Sequence, residues 1–229
     1  MSISITDLSF SYAGKNDFGL AIPKLALNTG ETHVLLGPSG SGKTTLLNLL
    51  AGTLRPTNGS LTIAGQDLSG ITNAKMDRFR GDHIGFVFQT LNLIPWLSAR
   101  DNIALGLAFA PLRRARLRAS VNDAIDDLVA QMHIAEPLMS KPAGALSIGQ
   151  QQRVAAARAL IGAPDIILAD EPSSALDEQN TKLFFDLLMG NLDRTRQTLL
   201  VVSHDMRVTG YFDHVLSVDN VLQREGDHE

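Results

Sequence analysis

From Met1 to Gly65 the chain alternates apolar and polar residues in short runs. "ISITDLSF", "LAIPKLAL" and "GSLTIAG" are separated by Gly, Asn and Pro. Such alternation predicts strands with one buried face. Between the second and third runs lies "HVLLGPSGSGKTTLLNLLAGTLRP", an apolar strand, a glycine-rich loop and a helix that ends before Gly52 and Pro56. "HIGFVFQ" reads as another strand. From about Leu91 to Ala157 the period becomes helical, with Leu117, Val121, Ile125, Leu128, Val129 and Met132 at helical spacing. Strands and helices then alternate through "DIILAD", "DEQNTKLFFDLLM", "TLLVVSHD" and "HVLSVD". That order predicts a parallel sheet covered on both faces.

Composition narrows the picture. The 229 residues are 44% hydrophobic and 19% charged, an ordinary globular balance for one large α/β domain or a domain with an inserted lobe. The net charge of -4 gives no basis for a nucleic-acid surface. The chain has no cysteine, so disulfides, zinc-thiolate sites and cysteine nucleophiles are excluded. "IALGLAFAPL" is about half the roughly 20 residues a membrane helix needs. "MSISITDLSF" has no basic leader region, so no signal peptide is expected. A soluble, cytosolic protein is expected, with a membrane partner still possible.

The chemistry is concentrated in a few places. Gly37, Gly42, Lys43 and Thr44 fit G-x-x-x-x-G-K-[ST], with a strand before and a helix after. Glycine lets backbone N–H groups crowd around phosphate oxygens, and the helix N-terminus adds positive potential. Lys43 is expected at the β- and γ-phosphates, and Thr44 at Mg²⁺. The fold expected is therefore a P-loop NTPase α/β core with an N-terminal antiparallel β layer and a helical subdomain inserted at about 91–157.

"DIILADEP" ends an apolar strand on Asp170, with Glu171 next. Asp170 can hold the Mg²⁺ shell. Glu171 can polarise an attacking water, help worth about 10²–10⁴-fold. In "LSIGQQQR", Ser147 and Gly149 come just before a helix from about Gln150. A hydroxyl, a bare glycine and a helix N-terminus form a second phosphate surface, although Ser147 also suits a simple N-cap. One chain need not supply both sides of a clasped γ-phosphate, so a dimer is the natural inference.

Taken in order, these motifs resemble those of ABC-type ATPases over essentially the whole chain, read as one domain of residues 1–229. "GPSGSGKTT" (Gly37, Ser39, Gly40, Ser41, Gly42, Lys43, Thr44 and Thr45) resembles Walker A, and "IILADE" resembles Walker B. "LSIGQ", with Ser147, Gly149 and Gln150, resembles the ABC signature. The resemblance implies that Gln89 is a Q-loop glutamine linking Mg²⁺, water and the helical lobe. It makes Asp177 in "SALD" a D-loop residue facing a dimer partner, and His204 in "VVSHD" a switch histidine orienting water and Glu171. Tyr12 falls where the family stacks an aromatic ring on adenine. Ile148 and Ser173 are small departures that leave hydrolysis intact.

The implied activity is ATP hydrolysis with Mg²⁺, by a pair of ATPase chains closing around two ATP and driving an integral-membrane permease at the cytoplasmic face of the cell membrane. Asp77 to Pro95 is similar to ATPases of macrolide-export and lipoprotein-release systems, which implies export or extraction. An importer subunit, and a soluble non-transport ABC ATPase, remain the alternatives. With a short tail after the last strand, no regulatory C-terminal domain is expected. Two further features stay open. Arg113, Arg114, Arg116 and Arg118 form a basic run expected as a solvated face, with a lipid or permease contact as the alternative. Trp96 is expected either beside a permease-binding groove or in the core.

Overall fold

The computed structural model describes residues 1–12 and 19–225. Strands β1 (Ile3–Ser11), β2 (Gly19–Leu27), β4 (Asn58–Ile63), β5 (Gln66–Asp67) and β10 (Gln223–Glu225) form an antiparallel sheet in the order β10-β2-β1-β4-β5. The apolar phase of β1 slips once: Ile3 and Ile5 are buried, then Leu8 and Phe10. Asp7 sits at that slip with φ 46, where the register to β4 shifts. It is a bulge, which returns both halves of the strand to one core face. Gly59 crosses it, and a Cβ there would meet the Asp7 carbonyl oxygen at 2.3 Å.

The second sheet is parallel, in the order β6-β7-β8-β3-β9: β3 (Thr32–Leu36), β6 (Ile84–Val87), β7 (Ile166–Asp170), β8 (Thr198–Ser203) and β9 (His214–Ser217). β7 and β8 are buried throughout, as expected of strands covered on both faces. Their side chains divide between two cores. Val34, Val87, Ile167, Ala169, Leu199 and Val201 pack with α3 (Ala99–Ala104), α5 (Val121–Gln131), α6 (Ile148–Leu160) and α7 (Glu178–Gly190). Leu35, Ile166, Leu168, Leu200 and Val202 pack with α1 (Lys43–Leu50), α2 (Asn73–His83) and the antiparallel sheet. α3, α4 (Pro111–Ala115), α5 and α6 all lie between β6 and β7 in the chain, as the helical period predicts. α8 (Val218–Val221) follows β9.

Two expectations need correction. Leu117 is not part of α5. Ser120 starts that helix with a capping box to Asp123, and this local chemistry sets the boundary ahead of the apolar period. The arginine run is not a solvated face. Arg114 and Arg118 are exposed, but Arg113 is buried and its guanidinium donates to Ala159 O at 2.9 Å and, through Nε, to Ile161 O at 3.0 Å. Those carbonyls end α6, which has no further turn to satisfy them. Burial, with Arg116 nearby, lowers the Arg113 pKa to about 10, so it stays charged at neutral pH. Arg116 binds Ala163 O at 2.7 Å and both oxygens of Asp165. Trp96 is 77% exposed, which removes the core alternative.

Candidate functional site

Parallel strands all end at one edge, and that edge gathers the motifs. β3 leads to Gly37, β7 to Glu171, β8 to His204 and β6 to Gln89. The register pairs Leu36 with Ser203, Asp170 with Val202, and Val87 with Ala169. Residues far apart in sequence thus stand in a row, at the place where open α/β sheets bind ligands.

The loop from Gly37 to Gly42 turns through Gly40 at φ 77 and Gly42 at φ 99, both in the region that favours glycine. Gly42 is the N-cap of α1 and offers no side chain, so the first N–H groups of α1 face the loop. Gly37 packs against α8, and a Cβ there would meet Val218 Cγ2 at 2.5 Å. Tyr12, Gly40, Ser41, Gly42, Lys43, Thr44 and Thr45 line one cavity of about 250 Å³. Tyr12 is half exposed, and its hydroxyl lies 3.3 Å from Thr45 Oγ1. Its ring meets Phe10 edge-on, with centroids 4.8 Å apart. Ser39 is exposed at the crest of the loop. Ser41 Oγ is buried and makes no hydrogen bond. Such an orphan is uncommon and marks a place where a ligand oxygen fits.

Lys43 is buried. Its ammonium donates to Gly37 O at 2.7 Å and Pro38 O at 2.9 Å, and lies 3.8 Å from Glu171 Oε1. Glu171 Oε2 lies 2.9 Å from His204 Nδ1 and accepts from Ser203 Oγ at 3.4 Å. Lys43, Glu171 and His204 are therefore one cluster. Glu171 has φ 45, a strained backbone for a side-chain residue, of the sort concentrated at functional sites. Its N–H still bonds Val202 O at 3.0 Å, so the chain turns sharply as β7 ends.

Asp170 is buried, and its Oδ1 has no hydrogen-bond partner. Burial pushes its carboxyl pKa up, the Thr44 hydroxyl draws it down, Glu171 raises it and Lys43 lowers it; the net direction is up. A hydroxyl and a carboxylate oxygen lacking a partner suit a hard divalent cation. The residues present thus fit Mg²⁺, with Thr44 and Asp170 as its holders. Gln89 is exposed in the turn after β6, level with Glu171 across the sheet but outside the Lys43–Glu171–His204 contacts.

Ser147, Gly149 and Gln150 take no part in the Lys43–Glu171–His204 contacts. Ser147 is the N-cap of α6, and Gln150 completes the capping box by accepting from Ser147 N at 3.0 Å. The helix starts at Ile148, two residues before the expected Gln150, so Gly149 lies inside its first turn. The nearest atoms to a Cβ at Gly149 belong to Asn180 and Leu176, at 3.9 and 4.0 Å. Asp177 caps α7 by accepting from Asn180 N at 2.8 Å. One chain thus presents two separate surfaces, the glycine loop and the Ser147–Asp177 face.

Sequence reasoning missed two residues. Ser203 bonds Glu171 and receives Asp205 N at 3.0 Å; a hydroxyl ending the apolar run "TLLVVS" was the available signal. Arg158 donates from α6 to Leu91 O and Asn92 O, both at 2.6 Å. Leu91 and Asn92 have φ 60 and 46, so α6 holds the strained turn that follows Gln89. Nothing in the local sequence marks that contact.

Residues 20–174 match the family model described as "ABC transporter". The chain is 39% identical over 205 residues to the lipoprotein-releasing system ATP-binding protein LolD of Anaeromyxobacter dehalogenans (strain 2CP-C), covering 89% of this chain and 84% of that protein. It is 38% identical over 199 residues to the macrolide export ATP-binding/permease protein MacB of Shewanella sp. (strain ANA-3), covering 86% of this chain but 29% of MacB. Among solved structures it resembles the dimeric post-hydrolysis state of the ATP-binding cassette MJ0796 bound to ADP and Pi, with TM-score 0.81 and 30% identity over 97% of each chain. The glycine loop, the buried Asp170 and the Glu171–His204 pair share one sheet edge, and on the family match and its relatives the chain belongs to the ABC transporter family as an ATP-binding cassette.

Proposed function

We propose that the protein hydrolyses ATP as a head-to-tail dimer and drives a membrane permease in export or extraction. The observation that carries this reading is the separation of two phosphate surfaces. Lys43, Glu171 and His204 cluster at the glycine loop, while Ser147 and Gly149 sit on another face with Asn180 and Leu176. Each ATP would lie between one chain's loop and its partner's Ser147–Gly149, with Asp177 facing the partner and Tyr12 beside the adenine.

The geometry supports the following roles. Lys43 moves from its own loop carbonyls to the phosphates. Glu171 accepts a proton from the attacking water. His204, held on Glu171 Oε2, orients that carboxylate and reaches toward the γ-phosphate. Gln89 signals occupancy to the helical lobe through the turn that Arg158 holds. Thr44, Asp170 and Gln89 would hold Mg²⁺, which when bound would supply neutralisation of phosphate charge. Catalysis of this kind is mostly positioning and charge stabilisation.

Export is favoured by the names of LolD and MacB. No described helix is long and apolar enough to cross a membrane; the membrane-spanning part of the assembly is read as the permease, with this cassette peripheral at the cytoplasmic face. A groove of about 370 Å³, lined in part by Ala51, Phe86, Phe88, Leu105 and Phe109, lies beside the core, and Phe109 is 83% exposed. It suits a short helix of that permease. Trp96 is not among its lining residues.

The test is capture of partners from native membranes with ATP and Glu171→Gln. That variant should hydrolyse about 10²–10⁴-fold more slowly and hold a dimer. A permease with a large extracytoplasmic domain is the expected partner. A many-span permease with a binding protein would make this an importer subunit, and a soluble partner alone would overturn the transporter reading.

A further inference from the structure

At the edge of the parallel sheet opposite Lys43, three side chains turn toward one another. The β3–β9 register pairs His33 with His214, so the imidazoles lie side by side. Their rings stack with centroids 4.8 Å apart and 19° between planes. Glu31 lies just before β3. Its Oε2 is 3.3 Å from His33 Nε2 and 3.5 Å from His214 Nε2. One ligating atom from each residue thus falls within 4.8 Å of the others.

Two observations go beyond side-chain packing. His33 is 3% exposed, yet neither ring nitrogen makes a hydrogen bond. Buried polar side chains nearly always have partners. Glu31 is close enough to be one but lies off the direction that an N–H bond needs. Two groups at contact distance without alignment are arranged like ligands flanking a common point. Two of the three pair distances agree with that arrangement. Zinc bonds of about 2.0–2.2 Å to nitrogen and oxygen give tetrahedral edges of roughly 3.3–3.5 Å, as measured here for both carboxylate–imidazole pairs.

The surroundings favour a cation. Glu31 is fixed by Asn28, whose N–H donates to Oε2 at 3.2 Å and whose Nδ2 donates to Oε1 at 3.1 Å. Outer partners of this sort orient metal-binding carboxylates. Asp213, bound to Thr32 N at 2.8 Å and to Thr32 Oγ1 at 2.9 Å, is already paired with Arg194 at 2.5 Å, so Glu31 supplies the negative charge of the cluster. His214 is half exposed, so its ring can rotate to bring Nε2 closer to His33 without disturbing the core.

We propose that Glu31, His33 and His214 form a binding site for a zinc-type divalent cation, with the remaining position open to water on the His214 side. Two imidazoles and a carboxylate select borderline first-row metals over Mg²⁺ or Ca²⁺. The site is distinct from the nucleotide's cation position. It lies at the start of β3, and the glycine loop follows its end, about 3.3 Å per residue away along five residues.

The test is calorimetric titration of the chain with ZnCl2 in excess MgCl2 and without nucleotide, since ATP itself binds Zn²⁺ and would be turned over; the excess Mg²⁺ competes for the Thr44–Asp170 position. One Zn²⁺ per chain is expected, and Co²⁺ in its place should give the visible absorption of a four-coordinate nitrogen–oxygen site. His214→Ala and Glu31→Gln should each weaken binding by at least about 100-fold, since even outer partners of metal ligands contribute about 10–100-fold. His133→Asn controls for a loosely held surface imidazole and should bind as wild type. Zn²⁺ should also raise the melting temperature of wild type and leave that of His214→Ala unmoved. His214 is exposed, so this variant should fold. An absence of saturable Zn²⁺ binding, or equal affinity in His214→Ala and wild type, would overturn the site and leave a stacked histidine pair.

Discussion

Ser147 does two things at once, and they can be separated. Its hydroxyl caps α6, and the proposed function also gives it to a partner's phosphate. Replacing an N-cap by Ala costs about 1 kcal/mol, so Ser147→Ala would mix a helix effect with a ligand effect. Aspartate caps as well as serine but sets a carboxylate against phosphate. Ser147→Asp should therefore melt within about 0.5 kcal/mol of wild type and fail to dimerise with ATP, as read by light scattering in the Glu171→Gln background. Normal dimerisation would remove Ser147 from the site. Lys43→Ala makes the companion prediction. Among the described residues its ammonium holds two loop carbonyls, Gly37 O and Pro38 O, and lies beside Glu171, so its loss should leave the fold intact and abolish ATP binding. Unchanged affinity for a fluorescent ATP analogue would refute that role.

Among the elements, Asp165 does the most tying. It stands just before β7 and binds His83 at the end of α2 at 2.6 Å, Arg116 just after α4 at 3.0 Å, and Arg196 just before β8 at 3.3 Å. Burial pushes its carboxyl pKa up, but hydrogen bonds and charge from His83 and Arg116 outweigh it and bring the pKa down to about 2. A depressed carboxylate stabilises the fold above its unfolded pKa and loses that contribution as pH falls through the folded one. The window runs from about pH 4 to about pH 2, and the full contribution is about 2 kcal/mol. Asp165→Asn should be less stable than wild type by about that amount at pH 7 in urea denaturation, and the difference should shrink below about pH 4. A constant difference would show that charge is not the cause. This network also marks the limit of the sequence. The succession of strands and helices along the chain, the glycine loop and the Asp170–Glu171 end of β7 were legible because each is written in adjacent residues. Arg113 and Arg116 were not, because an arginine reads as surface until the helix end it caps is known. His33 and His214 are 181 residues apart and meet only through parallel register, which no local pattern encodes.

For the whole molecule the decisive question is how two copies face each other. The loop and the Ser147 face are separate on one chain, so a head-to-tail dimer predicts loop against Ser147 twice over, whereas a dimer made through like faces predicts loop against loop. The absence of cysteine from the sequence makes the test clean, because an introduced thiol is the only one. Ser39 and Ser147 are both exposed, and Ser39→Cys and Ser147→Cys can each be made in the Glu171→Gln background. With ATP and a short bis-maleimide, a mixture of the two variants should cross-link one to the other, while each alone should stay monomeric on a denaturing gel. Without ATP the mixed product should fall to background. Self-cross-linking of Ser39→Cys would mean that the loops face each other. Each loop would then be completed within its own chain, and Ser147 would be left as a helix cap alone.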